Sequence, residues 1–331
     1  MTEATDDRRE ERAAGLWNRL HAGTVLDYLR EYAVLVLLAA VFIWLSLATP
    51  AFLTVTNLLN ILNQNAPLAI VATAGTLVII SGGFDLSTGS IFGVASVVAA
   101  WLAINVDPVL GLASAPVIGA ALGLVNGAII TAFRVHSFLA TLATSLVYRG
   151  AALLISGGFL ISVAHLESFR ILGRERVGAV NIAVLVLVAW FVLLWVLLNR
   201  SRFGRFVFAV GGNEEAALLS GVQVGRVKVL AFMLSGIAAG IAGAITVSRI
   251  ASGQPQAGEG VELQAIAAII LGGTSIYGGA GAIWRSMAGV YLLALIANGF
   301  NILNANPFLK DLTTGVIIIA AVALSAARRR R

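Results

Sequence analysis

From residue 31 onward the chain is a succession of long apolar runs, separated by short polar or glycine-rich breaks. A helix needs about 20 predominantly apolar residues to cross the hydrocarbon of a bilayer, and several runs reach that length. The pattern predicts ten membrane helices, over residues 32–49, 57–80, 87–104, 109–133, 137–156, 180–199, 227–250, 261–277, 282–303 and 310–327. Glycine or polar residues interrupt several of them, which predicts one or two broken or re-entrant spans. Open sheets are excluded because their edge amides find no partner in lipid. A barrel shows short alternating segments, whereas these runs are continuous. The expected fold is therefore an all-α integral membrane bundle. Residues 1–30 form a polar tail, 31–327 the membrane domain and 328–331 a basic tail. The first tail mixes Arg8, Arg9, Glu10, Glu11 and Arg12 with little apolar content, unlike a secretory signal. A short surface helix is expected over residues 17–32.

Lysine and arginine in the loops set the orientation. With the N-terminus in the cytoplasm, 16 of the 22 basic residues lie on the inner side and five on the outer, with Arg149 inside a span. Both ends are then cytoplasmic, and the helix count is even. The net charge of +6 reads as attraction to an anionic inner leaflet and not as a nucleic-acid footprint.

Composition agrees with the pattern: 59% of the 331 residues are hydrophobic and 11% charged, against about 25% charged in a soluble domain. With no cysteine and with His21, His136 and His165 scattered, neither thiolate chemistry nor a metal site is expected. There is no phosphate loop, no zinc-protease signature and no nucleophile–base pair. No catalytic residue and no cofactor is predicted.

Three segments carry more information. In the first, Gly82 to Ser90, Asp85 sits inside apolar surroundings, where an aspartate is costly by about 2.5–3.5 kcal/mol. Asp85 or Ser87 caps the next helix, or the segment is a broken-helix element lining a wet path; the two are compatible. The second runs from Gly204 to Val222. Asn213 reads as a helix N-cap, Glu214 and Glu215 suit the positive end of the dipole, and Gly221 stops the short helix. Such a helix is either a plain connector or a shape for another protein's groove. In the third, Leu263 to Gly279, small residues permit close helix packing. Its Gly272-Gly273-x-x-Ile276-x-x-Gly279 echoes Gly82-Gly83-x-x-Leu86-x-x-Gly89, which is either an internal repeat or coincidence.

These motifs, in this order, resemble the permease subunit of sugar ABC importers of the ribose/xylose/galactoside type. The likeness also takes in Thr49 to Thr54, Asn57 to Leu62, Asn126-Gly127 and Phe138-x-Ala140-Thr141-Leu142, and it covers nearly all of residues 45–325. Where that family often has a basic residue after the last glycine pair, this chain has Ala280-Gly281-Ala282. The resemblance implies a multi-pass inner-membrane subunit that moves a pentose or hexose inward by alternating access. Its implied partners are a cytoplasmic ABC ATPase, an extracytoplasmic sugar-binding protein, a second permease copy and membrane lipid. Within the cytoplasmic loop 200–226, Gly212, Asn213, Glu214, Ala217, Ser220 and Gly221 correspond to the region that docks on the ATPase.

A sugar path needs weak, uncharged hydrogen-bonding groups. Asn60, Asn63, Gln64, Asn65, Asn126, Asn298 and Asn301 stand out within apolar runs, and all but Asn65, with Asp85, are the path candidates. Asn60, Asn63 and Gln64 share a helical face by spacing, as do Asn298 and Asn301. Interhelical hydrogen bonding is the other role open to them. The charged external loop around Arg170, Arg174 and Arg176 is the expected landing point of the binding protein. An ion-coupled carrier, or an ABC permease for branched-chain amino acids or nucleosides, are the alternative functions.

Overall fold

The computed structural model describes residues 32–306 together with scattered positions between 309 and 319. The expected tails, all but the last residue of the surface helix over 17–32, and most of the predicted helix 310–327 lie outside the described residues. Among the described residues, seven helices are long and apolar enough to cross a membrane: α2 (Val55–Ile80), α3 (Thr88–Asn105), α4 (Pro108–Phe133), α5 (Ser137–Ser156), α7 (Ile182–Arg200), α10 (Val224–Ile250) and α12 (Ile283–Ile302). Two shorter apolar helices, α1 (Ala33–Ala48) and α11 (Val261–Leu271), accompany them. The remaining helices are short: α6 (Ile171–Arg174), α8 (Arg202–Gly212) and α9 (Glu214–Leu219). The apolar runs therefore became helices close to where the pattern placed them. One run differs: the expected helix 261–277 stops at Leu271, where the glycine pair turns the chain away.

Local chemistry explains most boundaries. Thr54, Asp107, Asn181 and Ser201 each accept backbone N–H bonds as N-caps of α2, α4, α7 and α8. The α2 and α11 ends share one device. Gly82 and Gly273 both take φ +82°, with bonds from Gly83 N to Val78 O and from Thr274 N to Ile269 O, a Schellman stop. The echo seen in the sequence is thus a common cap, and the geometry aligns Gly82 with Gly273, one residue off the sequence match. The same stop recurs at Gly157 and Gly221, so it does not by itself mark a repeat.

Helices α2, α3 and α10 are the most buried, and α4, α5 and α7 turn much of their surface outward. Leu146 and Leu154 on α5 and Val117 on α4 are among the exposed apolar side chains, which suits lipid contact. The tightest packing joins α4 to α10, antiparallel. Gly119, Gly123 and Gly127, four residues apart, lie against Gly236, Phe232 and Val229. A Cβ added at Gly119 would fall 2.1 Å from Gly236 O, and one at Gly236 would fall 2.0 Å from Gly119 O. Only backbone fits at that crossing.

Two crossings are interrupted. After α2 the extended segment 81–87 turns back into the bundle, held by bonds from Phe84 N to Ser137 Oγ and Leu86 N to Thr141 Oγ1. After α10 the segment 251–260 turns back from the opposite end and feeds α11. The N-terminal turns of α3 and α11 meet: a Cβ at Gly89 would touch Gly258 O and the Glu262 carboxylate.

At the end of the bundle carrying Arg249, residues 157–181 fold into a small cap. Strand β1 (Ile161–Ser162) pairs antiparallel with β4 (Ser252–Gly253), and β2 (Arg176–Val177) pairs with β3 (Val180–Asn181). Phe169 is fully buried beneath it.

Candidate functional site

At the end opposite Arg249, three backbone segments converge. Gly279 N donates to Ile80 O at 2.8 Å, and Gly211, the next-to-last residue of α8, packs directly on Ile80 O. From this junction α9 projects. Asn213 Oδ1 accepts from Ala216 N at 2.9 Å, the N-cap read in the sequence, and Gly221 at φ +84° closes the helix. Gly212, Asn213, Glu214, Ser220 and Gly221 are exposed, whereas Ala217 is buried. Leu218 and Leu219 are 61% and 83% exposed, so the outer face of α9 is apolar. Glu214 is tied to Lys228 of α10 by a 2.7 Å ion pair. A cleft of about 650 Å³ opens beside it, lined in part by Arg134, His136, Leu218 and Lys228. His136 is itself the N-cap of α5. The pattern missed Lys228 as the partner that ties α9 to a long helix; the basic residue at the start of α10 was its signal.

Inside the bundle, Asp85 and Asn126 come together with residues that periodicity alone did not select. Tyr148 Oη has two acceptors for its one hydrogen, Asn126 Oδ1 at 3.0 Å and Leu122 O at 3.1 Å; Asn126 Nδ2 donates to Ser87 Oγ at 2.7 Å, and Ser87 Oγ donates to Asp85 Oδ1 at 2.6 Å. Each donor points toward the carboxylate, so the chain of bonds is polarised in one sense. Asp85 Oδ1 also accepts from Ser87 N at 3.0 Å. This is an Asx turn, so neither the Asp85 nor the Ser87 side chain caps α3 directly. Asn126 is fully buried and Asp85 is 6% exposed.

Arg149, in the middle of α5, spans the junction of the two broken crossings. It donates to Gly89 O at 3.1 Å, to Ala257 O at 3.1 Å and to Pro255 O. Its planar fork thus binds two carbonyls of the turn-rich segment 251–260, Pro255 O and Ala257 O, together with Gly89 O in the first turn of α3. A single arginine within an apolar run was the signal for it.

The remaining amides lie on α2 and α12. Asn57 and Asn298 exchange side-chain bonds of 3.3 and 2.9 Å. Asn60, Gln64 and Asn301 are exposed, and Asn63 and Asn298 are half-buried. Arg249 Nη2 donates to Asn63 O at 2.7 Å, and Arg174 Nε donates to Arg249 O at 2.8 Å. Arg249 therefore links α2, α10 and the cap. Arg170 donates to Ala164 O within the cap. The structure thus separates the chosen residues into an exposed amide edge, a buried network and a projecting helix. Among the described residues no group of three or more His, Asp or Glu side chains could hold a metal.

The sequence profile of the family described as the branched-chain amino acid transport system permease component matches residues 57–322. A ribose import permease protein of Bacillus subtilis (strain 168) is 41% identical over 308 residues, 92% of this chain and 95% of the relative. A ribose import permease protein of Escherichia coli (strain K12) is 39% identical over 294 residues, 88% of this chain and 90% of the relative. An L-arabinose transport system permease protein of the same strain is 37% identical over 294 residues, 88% and 89% of the two chains. No solved structure matches. With the profile covering most of its length and these relatives aligned almost end to end, the chain belongs to this family of transport-system permease components.

Proposed function

We propose that the chain is the membrane-spanning subunit of an ATP-driven ABC importer that carries a monosaccharide, a pentose or hexose, into the cytoplasm. The relatives named for ribose and arabinose, at 37–41% identity, support a sugar over the branched-chain amino acid in the family description. The observation that carries the ABC reading is α9. A six-residue helix with an intact N-cap, an exposed apolar face and an ion pair to α10 is built to be gripped from outside. Gly212, Asn213, Glu214, Ser220 and Gly221 form the docking surface for a separate cytoplasmic ATPase, and Ala217 holds the helix against the bundle. The α9 end then faces the cytoplasm together with both chain ends, as the basic loop residues require. The cap around Arg170, Arg174 and Arg176 faces outward, toward a sugar-binding protein.

The exposed amides Asn60, Gln64 and Asn301, with half-buried Asn63 and Asn298, suggest the path. Polar side chains on apolar helices are costly against lipid, and a sugar-wetted interface with a second copy of the chain removes that cost. Asp85 and Asn126, buried in the network, shape the broken crossing behind that path. The test is purification of the tagged permease in mild detergent with its neighbours identified by mass spectrometry. Recovery of a cassette ATPase in a complex holding two permease copies supports the reading. A folded permease that purifies without an ATPase and moves sugar in vesicles without ATP replaces it with a secondary carrier.

A further inference from the structure

Where the N-terminal turns of α3 and α11 meet, four buried side-chain oxygens have no hydrogen-bond partner in the protein: Asp85 Oδ2, Thr88 Oγ1, Ser235 Oγ and Glu262 Oε2. All four residues line the same small cavity, of about 10 Å³, whose remaining wall is apolar and includes Val71, Ile79 and Ile269. Asp85, Thr88 and Ser235 are 6%, 3% and 0% exposed, so bulk water does not reach these atoms. A buried polar atom without a partner loses its full hydration. Finding four of them on one cavity, from three separate stretches of the chain, points to a common ligand.

The chemistry of the set identifies it. Two carboxylate oxygens accept, and the Thr88 and Ser235 hydroxyls can donate, Ser235 lying close enough to interact with the Asp85 carboxylate as well. A water molecule has two hydrogens and two lone pairs, which match that set one for one. The volume matches as well, because about 10–15 Å³ is the least that holds one water. A sugar is excluded by size, since small-molecule sites run to about 300 Å³ and more. A calcium-like ion takes about six to eight oxygens, and four are present.

We propose that the cavity binds one structural water, which donates to Asp85 Oδ2 and Glu262 Oε2 and accepts from the Thr88 and Ser235 hydroxyls. That water joins the 81–87 segment, α3, α10 and α11 at a single point. It also continues the polarised chain that runs from Tyr148 through Asn126 and Ser87 to the other oxygen of Asp85. The two broken crossings would then be pinned to each other by a water rather than by a direct side-chain bond. A conformational change could release such a pin by exchanging one small molecule.

The experiment is a structure of the full-length permease in lipid nanodiscs, at a resolution that shows ordered water, joined to a double-mutant cycle. One solvent peak about 2.7–3.0 Å from all four oxygens is expected. A resolved cavity without a peak, direct bonds among the four side chains, or an ion at shorter coordination distances overturns the proposal. In the cycle, Thr88→Ala and Ser235→Ala should each lower the thermal midpoint by about 2–4 °C. The double variant should fall short of the sum, because both remove donors to the same water. Thr88→Ser, which keeps the hydroxyl, should stay near the parent. Strictly additive losses, or a Thr88→Ser variant as unstable as Thr88→Ala, would count against a shared water.

Discussion

Replacing Gly236 with alanine tests the α4–α10 crossing with one added carbon. Its Cβ would lie 2.0 Å from Gly119 O and 2.9 Å from Gly119 C. An ordinary carbon–oxygen contact needs about 3.3 Å, so the helices must separate by about 1 Å. A gap of that size forfeits about a quarter to a half of each contact well it opens. The crossing is lined on both sides by backbone, which has no rotamer with which to escape. Overpacking of a core costs about 1–3 kcal/mol, and the rigid surroundings place this change at the upper end, near 3 kcal/mol. Gly150 on α5 is the control, because nothing lies within 4 Å of its added Cβ. There, alanine gains about 0.5–1 kcal/mol of helix preference. The two substitutions therefore differ in sign. The assay is the thermal unfolding midpoint of the purified permease in mild detergent, read by intrinsic fluorescence. Gly236→Ala should lower it by about 5 °C or more, and Gly150→Ala should leave it unchanged or slightly higher. A Gly236→Ala midpoint at or above the parent's would refute close backbone packing at this crossing.

Other expectations follow the same reasoning. Arg149→Met should remove the donor to the Pro255 and Ala257 carbonyls and lower stability by about 2–3 kcal/mol, read as a lower midpoint. Arg149→Lys should recover only part of that, because an ammonium lacks the fork; full rescue by lysine in the same melt would contradict the geometry. Asn126→Leu removes the link between Tyr148 and Ser87 and should cost about 1–3 kcal/mol in the same assay, with a parent-like midpoint as the contrary result. Leu219→Glu alters a side chain 83% exposed, so stability should move by no more than about 0.5 kcal/mol. Recovery of the ATPase on the tagged permease should nonetheless fall, and undiminished recovery would remove α9 from the docking surface.

Much of the architecture was legible in the sequence because lipid enforces a simple rule. Backbone groups in hydrocarbon must bond internally, so an apolar run of sufficient length becomes a helix and its polar flanks become the ends. That logic placed α2, α4, α5 and α10 within a few residues. It failed at 272–277, where Ile276 and Tyr277 kept the run apolar and a glycine at positive φ ended the helix. Hydropathy does not register a backbone conformation. The short helix after Asn213 was readable because its cap, its acids and its terminal glycine are local signals.

The interior network was less legible. Asn126 and Asp85 are anomalous in any apolar run, but their partners Tyr148 and Ser87 come from other segments and follow from no spacing rule. Arg149 and Glu262 were visible as charges within apolar stretches. Their roles depend on two broken crossings meeting, which is a tertiary fact. Among the amides of α2 and α12, Asn57, which spacing did not select, turned out to be the partner of Asn298.

The central claim is that this chain moves sugar by using an ATPase bound at α9. The most direct measurement is sugar uptake into proteoliposomes that contain the permease, the cassette ATPase recovered with it and the sugar-loaded binding protein. Uptake should require ATP inside the vesicle compartment that faces α9, and it should be lost with Leu219→Glu while the variant remains folded. Uptake that proceeds without ATP, driven by an imposed ion gradient, would contradict the account.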